Sequence, residues 1–595
     1  MMMTAPLGNV SHLSTQWNDA VQRSSEPPTW FARLVGVFCT PTRSVAQLIN
    51  TREAFKGFFQ AQVSQLGAGV PGHSKAGFEV RAQELCASIL ENSLNTATRE
   101  AIARGDGRVP DKVLREAVSK ANARAQEALQ ELQIHASHAR LTVDRQVDIR
   151  PQVVPRKDSE GKVLGFNVIR QAPQIENLVF RGGGAKGIGN PGALVEMQDA
   201  GMLSGLKHLV GTSAGALTAV CLSCGQDAHA FQTFSASVDM NELKGKPEDF
   251  ETRYPMVDVS WRMGFHAGRA LELLDQTSAT GVSQYLNRNW DPAAMREKLA
   301  SLGGEGEIDG AIERLEQLRT QDFESDRTGQ MVTFKDLRLM HLLAPAQFKE
   351  LTLTGWDSTN KQETYFNAQN TPDMPVAVAG RISMSIPVYF RSVDFDPGDG
   401  SGTRSFTDGG VGSNMPTEVI TDNLQGRALE EARARTALMT FDENGKAYTV
   451  LHKEPEGPAT GLVAWAKAQM SGNSKLSGMG YQDKIKIHEA GPNAFVIFHG
   501  DIGTFDLNAS PERVRKAQTL STLKILEQIE QRRDQAYATE FDNAQDCFAV
   551  LTDMEKHAIR DGGEPHPGNY PPQFETDPCY RFQFELYELA WGKEG

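Results

Sequence analysis

The chain has 595 residues, 39% hydrophobic and 23% charged, and its 61 basic against 75 acidic side chains leave a net charge of -14. That length predicts several domains, and the acidic balance argues against a general nucleic-acid binder and against simple electrostatic adhesion to anionic lipid. No apolar run approaches a membrane span, the N-terminus lacks the basic-then-apolar profile of a Sec signal, and six cysteines are too few for a disulfide scaffold, which fits a reducing compartment.

Residues 1–145 read as a polar, mainly helical region. Its first forty residues hold few apolar anchors, the pattern of a disordered tail. Segments 44–66, 76–103 and 111–139 are rich in helix formers, with apolar residues at helical spacing. Pro110 and Asp111 mark the entry to the third. Residues 146–172 form a connecting segment, read as extended chain with a turn at Asp158–Gly161.

From 173 to 510 the texture changes. Short apolar strands (NLVF, KHLVG, KELTLTGW, ETYFNAQ, RTALMTF, NAFVIFHG) alternate with helices. This predicts an α/β domain with a mainly parallel central sheet. Residues 230–345 are more polar and helical, either an insertion or cap, or helices packed on the outer face of the sheet. Residues 511–595 open with the helical stretch SPERVRKAQTLSTLKILEQIEQRRDQAYATEF and end in CYRFQFELYELAW. There is no internal repeat.

The first strand of the α/β region runs into Gly182-Gly183-Gly184-Ala185-Lys186-Gly187. Gly182, Gly184 and Gly187 satisfy the dinucleotide fingerprint, but the acid expected about 20 positions on is missing, since Glu196 and Asp199 come too early, inside the helix. A P-loop is excluded because Ile188 and Gly189 follow Gly187. Cys221 and Cys224 form a C-x-x-C with no second pair and read as helix thiols. The 13 histidines form no ligand motif, so no metal is expected.

The next strand leads into Gly211-Thr212-Ser213-Ala214-Gly215, a G-x-S-x-G between an apolar strand closing at Val210 and an apolar helix. That is the setting of a nucleophile elbow, where small residues permit a tight turn and the helix start favours developing negative charge. A serine needs a base. His208 lies on the incoming strand and reads as structural. Asp408, followed by Gly409 and Gly410, is the better candidate.

These three motifs in this order resemble the patatin-like phospholipase family. The stretches DMPVAVAGRISMSIPVYFRSV and TFKDLRLM strengthen the resemblance, which covers residues 173–425. It implies a patatin-like three-layer domain flanked by helical N- and C-terminal regions. It implies a Ser-Asp dyad of Ser213 and Asp408, the aspartate partly desolvated so that it is a better base. The oxyanion hole falls to backbone around Gly182, Gly183, Gly184, Gly187 and Ala214. Lys186 either binds a phospholipid phosphate or holds the loop, and Arg181 is structural.

The domain order further resembles the type III secreted bacterial members of that family. That likeness implies an N-terminal region for secretion and chaperone binding and a C-terminal membrane-localisation region. It also implies activation by host ubiquitin, with no small-molecule cofactor, and action on host membranes that include phosphoinositides. Such a protein waits in the bacterial cytoplasm and leaves by a non-Sec route. Arg513, Arg515, Lys516, Arg532 and Arg533 either line a helix that meets phosphate headgroups or form a solvated face. The terminal aromatics either insert at an interface or dock on the core. The Gly-rich segment 396–402 is a candidate mobile loop. Alternatives are a housekeeping lipase without a host activator, a catalytically silent membrane- or protein-binding scaffold and, more distantly, an oxidoreductase.

Overall fold

The computed structural model describes residues 42–103, 108–141, 150–245, 253–259, 263–302, 308–323, 327, 329–441, 481–533, 536–562 and 572–592. The expectation of a disordered tail falls outside them. Two compact units divide the chain, 1–145 and 146–595.

The first unit is helical. A short strand β1 (Thr42–Ser44) pairs antiparallel with β2 (Arg108–Pro110), and between them run α1 (Val45–Gly67), α2 (Gly72–Leu90) and α3 (Thr96–Ala103). The long α4 (Asp111–Leu141) follows directly. On α4 the residues Ala117, Ala121, Ala125, Ala128, Leu132 and Ala136 are buried. Their spacing of three or four residues makes one stripe, small at every position but Leu132, that lets neighbouring helices approach closely. Phe55, Phe59, Phe78 and Leu94 fill the same core.

The second unit opens with the hairpin β3 (Gln152–Lys157) and β4 (Val163–Gln171), its turn at the Asp158–Gly161 position read from sequence. The main sheet then begins. Its strands are β5 (Asn177–Phe180), β6 (His208–Gly211), β7 (Asp258–Val259), β8 (Glu350–Asp357), β9 (Gln362–Phe366), β10 (Val393–Phe395), β11 (Arg404–Asp408), β12 (Thr436–Phe441) and β13 (Ala494–Ile497). The order is β13-β12-β5-β6-β8-β11-β10-β7, with β9 also on β8. From β13 to β8 neighbours are parallel. The sheet continues through antiparallel pairings of β9, β11, β10 and β7, so it is mixed. Segment 396–402 is the hairpin loop between β10 and β11, and Arg404 ties its Asp399 to Asp357.

Helices cover both faces. Between β5 and β6 lies α5 (Asn190–Asp199), and after β6 come α6 (Ala214–Ser223) and α7 (Ala228–Ser237). The polar region contributes α8 (Gly268–Asn289), α9 (Pro292–Ser301), α10 (Ile308–Thr320) and α11 (Phe334–Leu343). Next come α12 (Val376–Ser383), α13 (Gly426–Ala434) and α14 (Tyr481–Ala490). Val179, Val210 and Leu438 share a core with Met415 and with Ile487 of α14, while Phe180 on the opposite face meets α6 at Gly215. Burial on both sides is why these strands read as unbroken apolar runs. The helices of the 230–345 region join the helical layers: α8 packs on α6 and α12, and α11 packs on β8. A fully buried, two-bonded pair, Arg327 to Asp275 at 2.7 and 2.8 Å, ties that region internally, with the Tyr254 hydroxyl donating to Asp275 as well.

The C-terminal stretch departs from its sequence reading. Helix α15 (Pro511–Arg533) stops at Arg533, and Ala536–Phe541 is strand β14, antiparallel to β4. α15 packs on α5 and β13 of the main domain. The three strands β14-β4-β3 share a separate core with α16 (Ala544–Val550), α17 (Asp553–Gly562) and α18 (Pro578–Trp591). Arg170 of β4 binds Glu431 of α13 at 2.6 Å and Glu555 of α17 at 2.8 Å, joining this module to the main domain. The aromatics of α18 dock inward, with Phe582, Phe584 and Tyr587 buried. Arg532 is only 6% exposed and donates to Asn493 and the Pro173 carbonyl, while Arg513 pairs with Asp501 and Asp506. The basic residues of α15 therefore do not form one free row.

Candidate active site

Two strands converge on a third. β6 runs parallel to β8 and ends with Gly211 opposite Leu353. β11 runs antiparallel to β8 and ends with Asp408 opposite Gly355. Their C-terminal ends thus meet two residues apart on β8, so the loops that follow face one another.

Ser213 sits at the turn from β6 into α6 with φ 55° and ψ -125°. A non-glycine residue in such a conformation is strained, and the strain aims the side chain off the end of the strand. The turn is crowded. A Cβ on Gly211 would lie 2.7 Å from Ala216, and one on Gly215 would lie 2.5 Å from the Phe180 carbonyl oxygen.

The Ser213 Oγ donates to Asp408 Oδ2 at 2.6 Å, across 195 positions of sequence. The other carboxylate oxygen, Oδ1, accepts the backbone N–H of Gly410 at 2.7 Å. Both residues are 5% exposed. Gly409 allows the base loop to pass Thr354, whose Oγ1 is 2.0 Å from where a Cβ would stand.

Two serines that sequence reasoning did not assign support the pair. Ser383, the last residue of α12, accepts the Ser213 backbone N–H on its Oγ at 2.9 Å. The Ser385 carbonyl accepts the Asp408 N–H at 3.0 Å. The fully buried Arg381 donates to the Ser385 hydroxyl and to the His266 carbonyl, and burial holds its guanidinium down at about 9. Their only signal in the sequence was an arginine and two serines within an otherwise apolar run.

The glycine loop lies beside the elbow. Gly182 donates to the Asn414 carbonyl at 3.3 Å, and Asn414 Nδ2 donates back to the Gly182 carbonyl. The N–H of Gly182 is therefore already engaged, and this glycine serves close approach, since a Cβ there would lie 2.8 Å from the Ser213 Cβ. Gly187 packs against Ala214, its Cβ position 3.3 Å from the alanine methyl. Among the described residues, the backbone N–H groups of Gly183, Gly184 and Ala214 make no protein hydrogen bond. Gly184 has φ +58°, and a Cβ there would lie 2.2 Å from the Thr504 carbonyl oxygen. Lys186 is half-buried on the same turn.

Other candidates fall elsewhere. His208 bonds Thr352 at 3.0 Å, and burial lowers its ring to about 4. Cys221 and Cys224 are free buried thiols, Cys224 pushed up to about 12 by burial. Arg181 lies 3.9 Å from Asp483 in a buried pair. Among the described residues no group of His, Cys, Asp or Glu is arranged to hold a metal ion, and no helix is long and apolar enough to cross a membrane.

The family model described as Patatin-like phospholipase matches residues 178–421, the stretch that carries the glycine loop, Ser213 and Asp408. Over these residues the chain is similar to the patatin-like phospholipase family. The chain is also similar to the uncharacterized protein L620 of Acanthamoeba polyphaga mimivirus, 23% identical over 308 residues, covering 48% of this chain and 73% of that one. Among solved structures, VipD from Legionella pneumophila is 17% identical with a TM-score of 0.41, covering 76% of this chain and 79% of its own. Full-length ExoU from the type III secretion system of Pseudomonas aeruginosa, solved with SpcU, is 18% identical with a TM-score of 0.40. That alignment covers 72% of this chain and 64% of ExoU, so the chain spans less than two thirds of ExoU's length.

Proposed function

We propose that this protein is a lipid acyl hydrolase of phospholipase A type that cleaves membrane phospholipid esters through a Ser213–Asp408 dyad. The observation that carries the reading is the 2.6 Å bond from Ser213 Oγ to Asp408 Oδ2, set beside a glycine loop whose Gly183 and Gly184 N–H groups are unengaged among the described residues. Ser213 Oγ attacks the ester carbonyl as its proton passes to Asp408. The oxyanion is received by backbone N–H groups of Gly183, Gly184 and Ala214, each such donor contributing about 3 kcal/mol in the transition state. The tetrahedral intermediate collapses, and Asp408 returns the proton to the departing lysolipid alkoxide. Asp408 then takes a proton from water, which attacks the acyl-enzyme, and Ser213 recovers its proton as the fatty acid leaves. Lys186 meets the lipid phosphate.

The finer reading rests on domain order. An N-terminal helical unit, a patatin-like domain and a C-terminal module fit a secreted bacterial effector with a chaperone-bound N-terminus, activated in the host by ubiquitin and acting on phosphoinositide-containing membranes.

The test is fatty-acid release from phospholipid vesicles containing a phosphoinositide, for the parent, Ser213→Ala and Asp408→Asn, each with and without ubiquitin. Both variants are expected to lose about a thousandfold or more while remaining folded. Equal parental activity without ubiquitin removes the activator. A folded parent that releases nothing under either condition removes the hydrolase.

A further inference from the structure

Four large apolar side chains of the second unit crowd one patch of surface. Met263 is 77% exposed, Phe265 44%, Phe505 39% and Val388 37%. Phe265 and Phe505 are joined through Tyr389, whose ring centroid lies 5.3 Å from that of Phe265 and 5.1 Å from that of Phe505, and Met263 and Val388 stand beside Phe265 and Tyr389 in the chain. Isolated exposed apolar residues need no account, but contiguous ones mark an interaction surface.

The patch is held rigidly. Phe265 N–H donates to the Tyr389 carbonyl at 2.7 Å, and Arg391 N–H to the Phe265 carbonyl at 3.0 Å. Gly264, at φ +126°, lets the two strips touch, its Cβ position 2.9 Å from the Phe390 backbone. Val388 has φ +70°. A β-branched residue in the left-handed region is strained, and here the strained side chain is presented to solvent, where glycine or asparagine would sit at lower cost.

The patch also grows from the segments that build the candidate active site. Residues 386–390 follow directly on Ser383 and Ser385, and Thr504, next to Phe505, accepts the Ala185 N–H of the glycine loop at 2.9 Å. Beneath lies one core that includes Ala185, Met384, Phe390 and Ile502. The rim is basic. The Lys244 ammonium lies 5.4 Å over the Phe265 ring, held by the neutral side-chain oxygens of Asn241 and Asn508, and Arg391 Nε donates to the Gly264 carbonyl.

We propose that Met263, Phe265, Val388 and Phe505 form the surface on which the protein lies against a phospholipid bilayer, the apolar tips entering the interface and Lys244 meeting headgroup phosphate. The inference rests on the reading of the substrate as a membrane lipid. Aromatic and thioether side chains suit the headgroup–acyl boundary, and a surface continuous with the glycine loop brings the ester to the site without full extraction of the lipid.

The test is co-sedimentation of the full chain carrying Ser213→Ala with phosphatidylcholine vesicles, at low and at high salt. The parent is expected to bind at both, because the contact is mainly apolar. Combined Met263→Ser, Phe265→Ser and Phe505→Ser is expected to weaken partitioning about tenfold or more, whereas Leu164→Ser, on the exposed three-stranded sheet, leaves it unchanged. Val388→Asn relieves the backbone strain, so it is expected to bind vesicles more weakly with a melting temperature no lower than the parent's. A parent that does not partition, or a triple variant and Val388→Asn that both bind as the parent does, overturns the proposal, and capture of another protein without vesicle binding does so in favour of a protein partner. Hydrolysis of a water-soluble monomeric ester by the unsubstituted chain reads the hydrolase separately: vesicle binding without hydrolysis removes the activity and leaves the docking surface.

Discussion

The hydroxyl oxygen of Ser383 accepts the backbone N–H of Ser213 at 2.9 Å, so the strained residue of the elbow is held from outside its own turn. Ser383→Ala leaves that buried N–H without an acceptor, a cost of about 1–3 kcal/mol. The expected result is a 10- to 100-fold fall in kcat with KM nearly unchanged, and recovery in Ser383→Thr. Steady-state kinetics on both variants check it, and a rise in KM alone would contradict the positioning role.

Two glycines of the loop should respond differently to alanine. At Gly184 the methyl meets the Thr504 carbonyl oxygen at 2.2 Å in a left-handed backbone, whereas at Gly187 it meets the Ala214 methyl at 3.3 Å. Gly184→Ala is expected to lose at least about 2 kcal/mol of stability, together with activity. Gly187→Ala is expected to cost under about 1 kcal/mol. Denaturant melts of the two proteins rank them directly.

The Arg327–Asp275 pair is fully buried on both sides. Arg327→Met strands the carboxylate in the interior and is expected to cost about 3–5 kcal/mol. Replacing both members, with Asp275→Leu added, is expected to recover much of that loss. A double variant less stable than Arg327→Met would show that the pair is more than mutual compensation.

Burial, reinforced by Glu418, pushes the Glu363 carboxyl up to about 7. The folded state then binds its proton more tightly than the unfolded chain does. The corresponding stability is fully present below the unfolded value of 4.5 and is lost as pH rises through about 7. The term is of order 1–3 kcal/mol. Glu363→Gln is expected to remove this contribution to the fall in melting temperature between about pH 5 and about pH 8 and to be the more stable protein at the upper end. A parent and variant with parallel pH profiles would refute the assignment.

Much of this architecture can be read before folding, for physical reasons that differ by element. β5 and β6 are apolar at every core position because both their faces are covered. The proposed pair Ser213 and Asp408 stands out in the sequence because tight turns exclude all but small neighbours. Strand β14 was misread as helix because EQRRDQAYATEF continues the helix-forming composition of α15, and only its pairing with β4 overrides that propensity. β7 and β10 span two and three residues and leave no periodicity to detect. Gly182 was expected to donate to an oxyanion, yet its N–H is engaged by Asn414, a partner 232 positions away that local sequence does not reveal. Ser383 and Ser385 were hidden for the same reason: their roles exist only once α12 lies beside the elbow.

β8 acts as a ruler for the chemistry. Gly211, two residues before Ser213, and Asp408 are indexed to Leu353 and Gly355 of that one strand, which brings the proposed pair together across 195 positions of chain. One extra residue between Leu353 and Gly355 would move the two ends by about 3.3 Å and take the hydroxyl out of reach of the carboxylate.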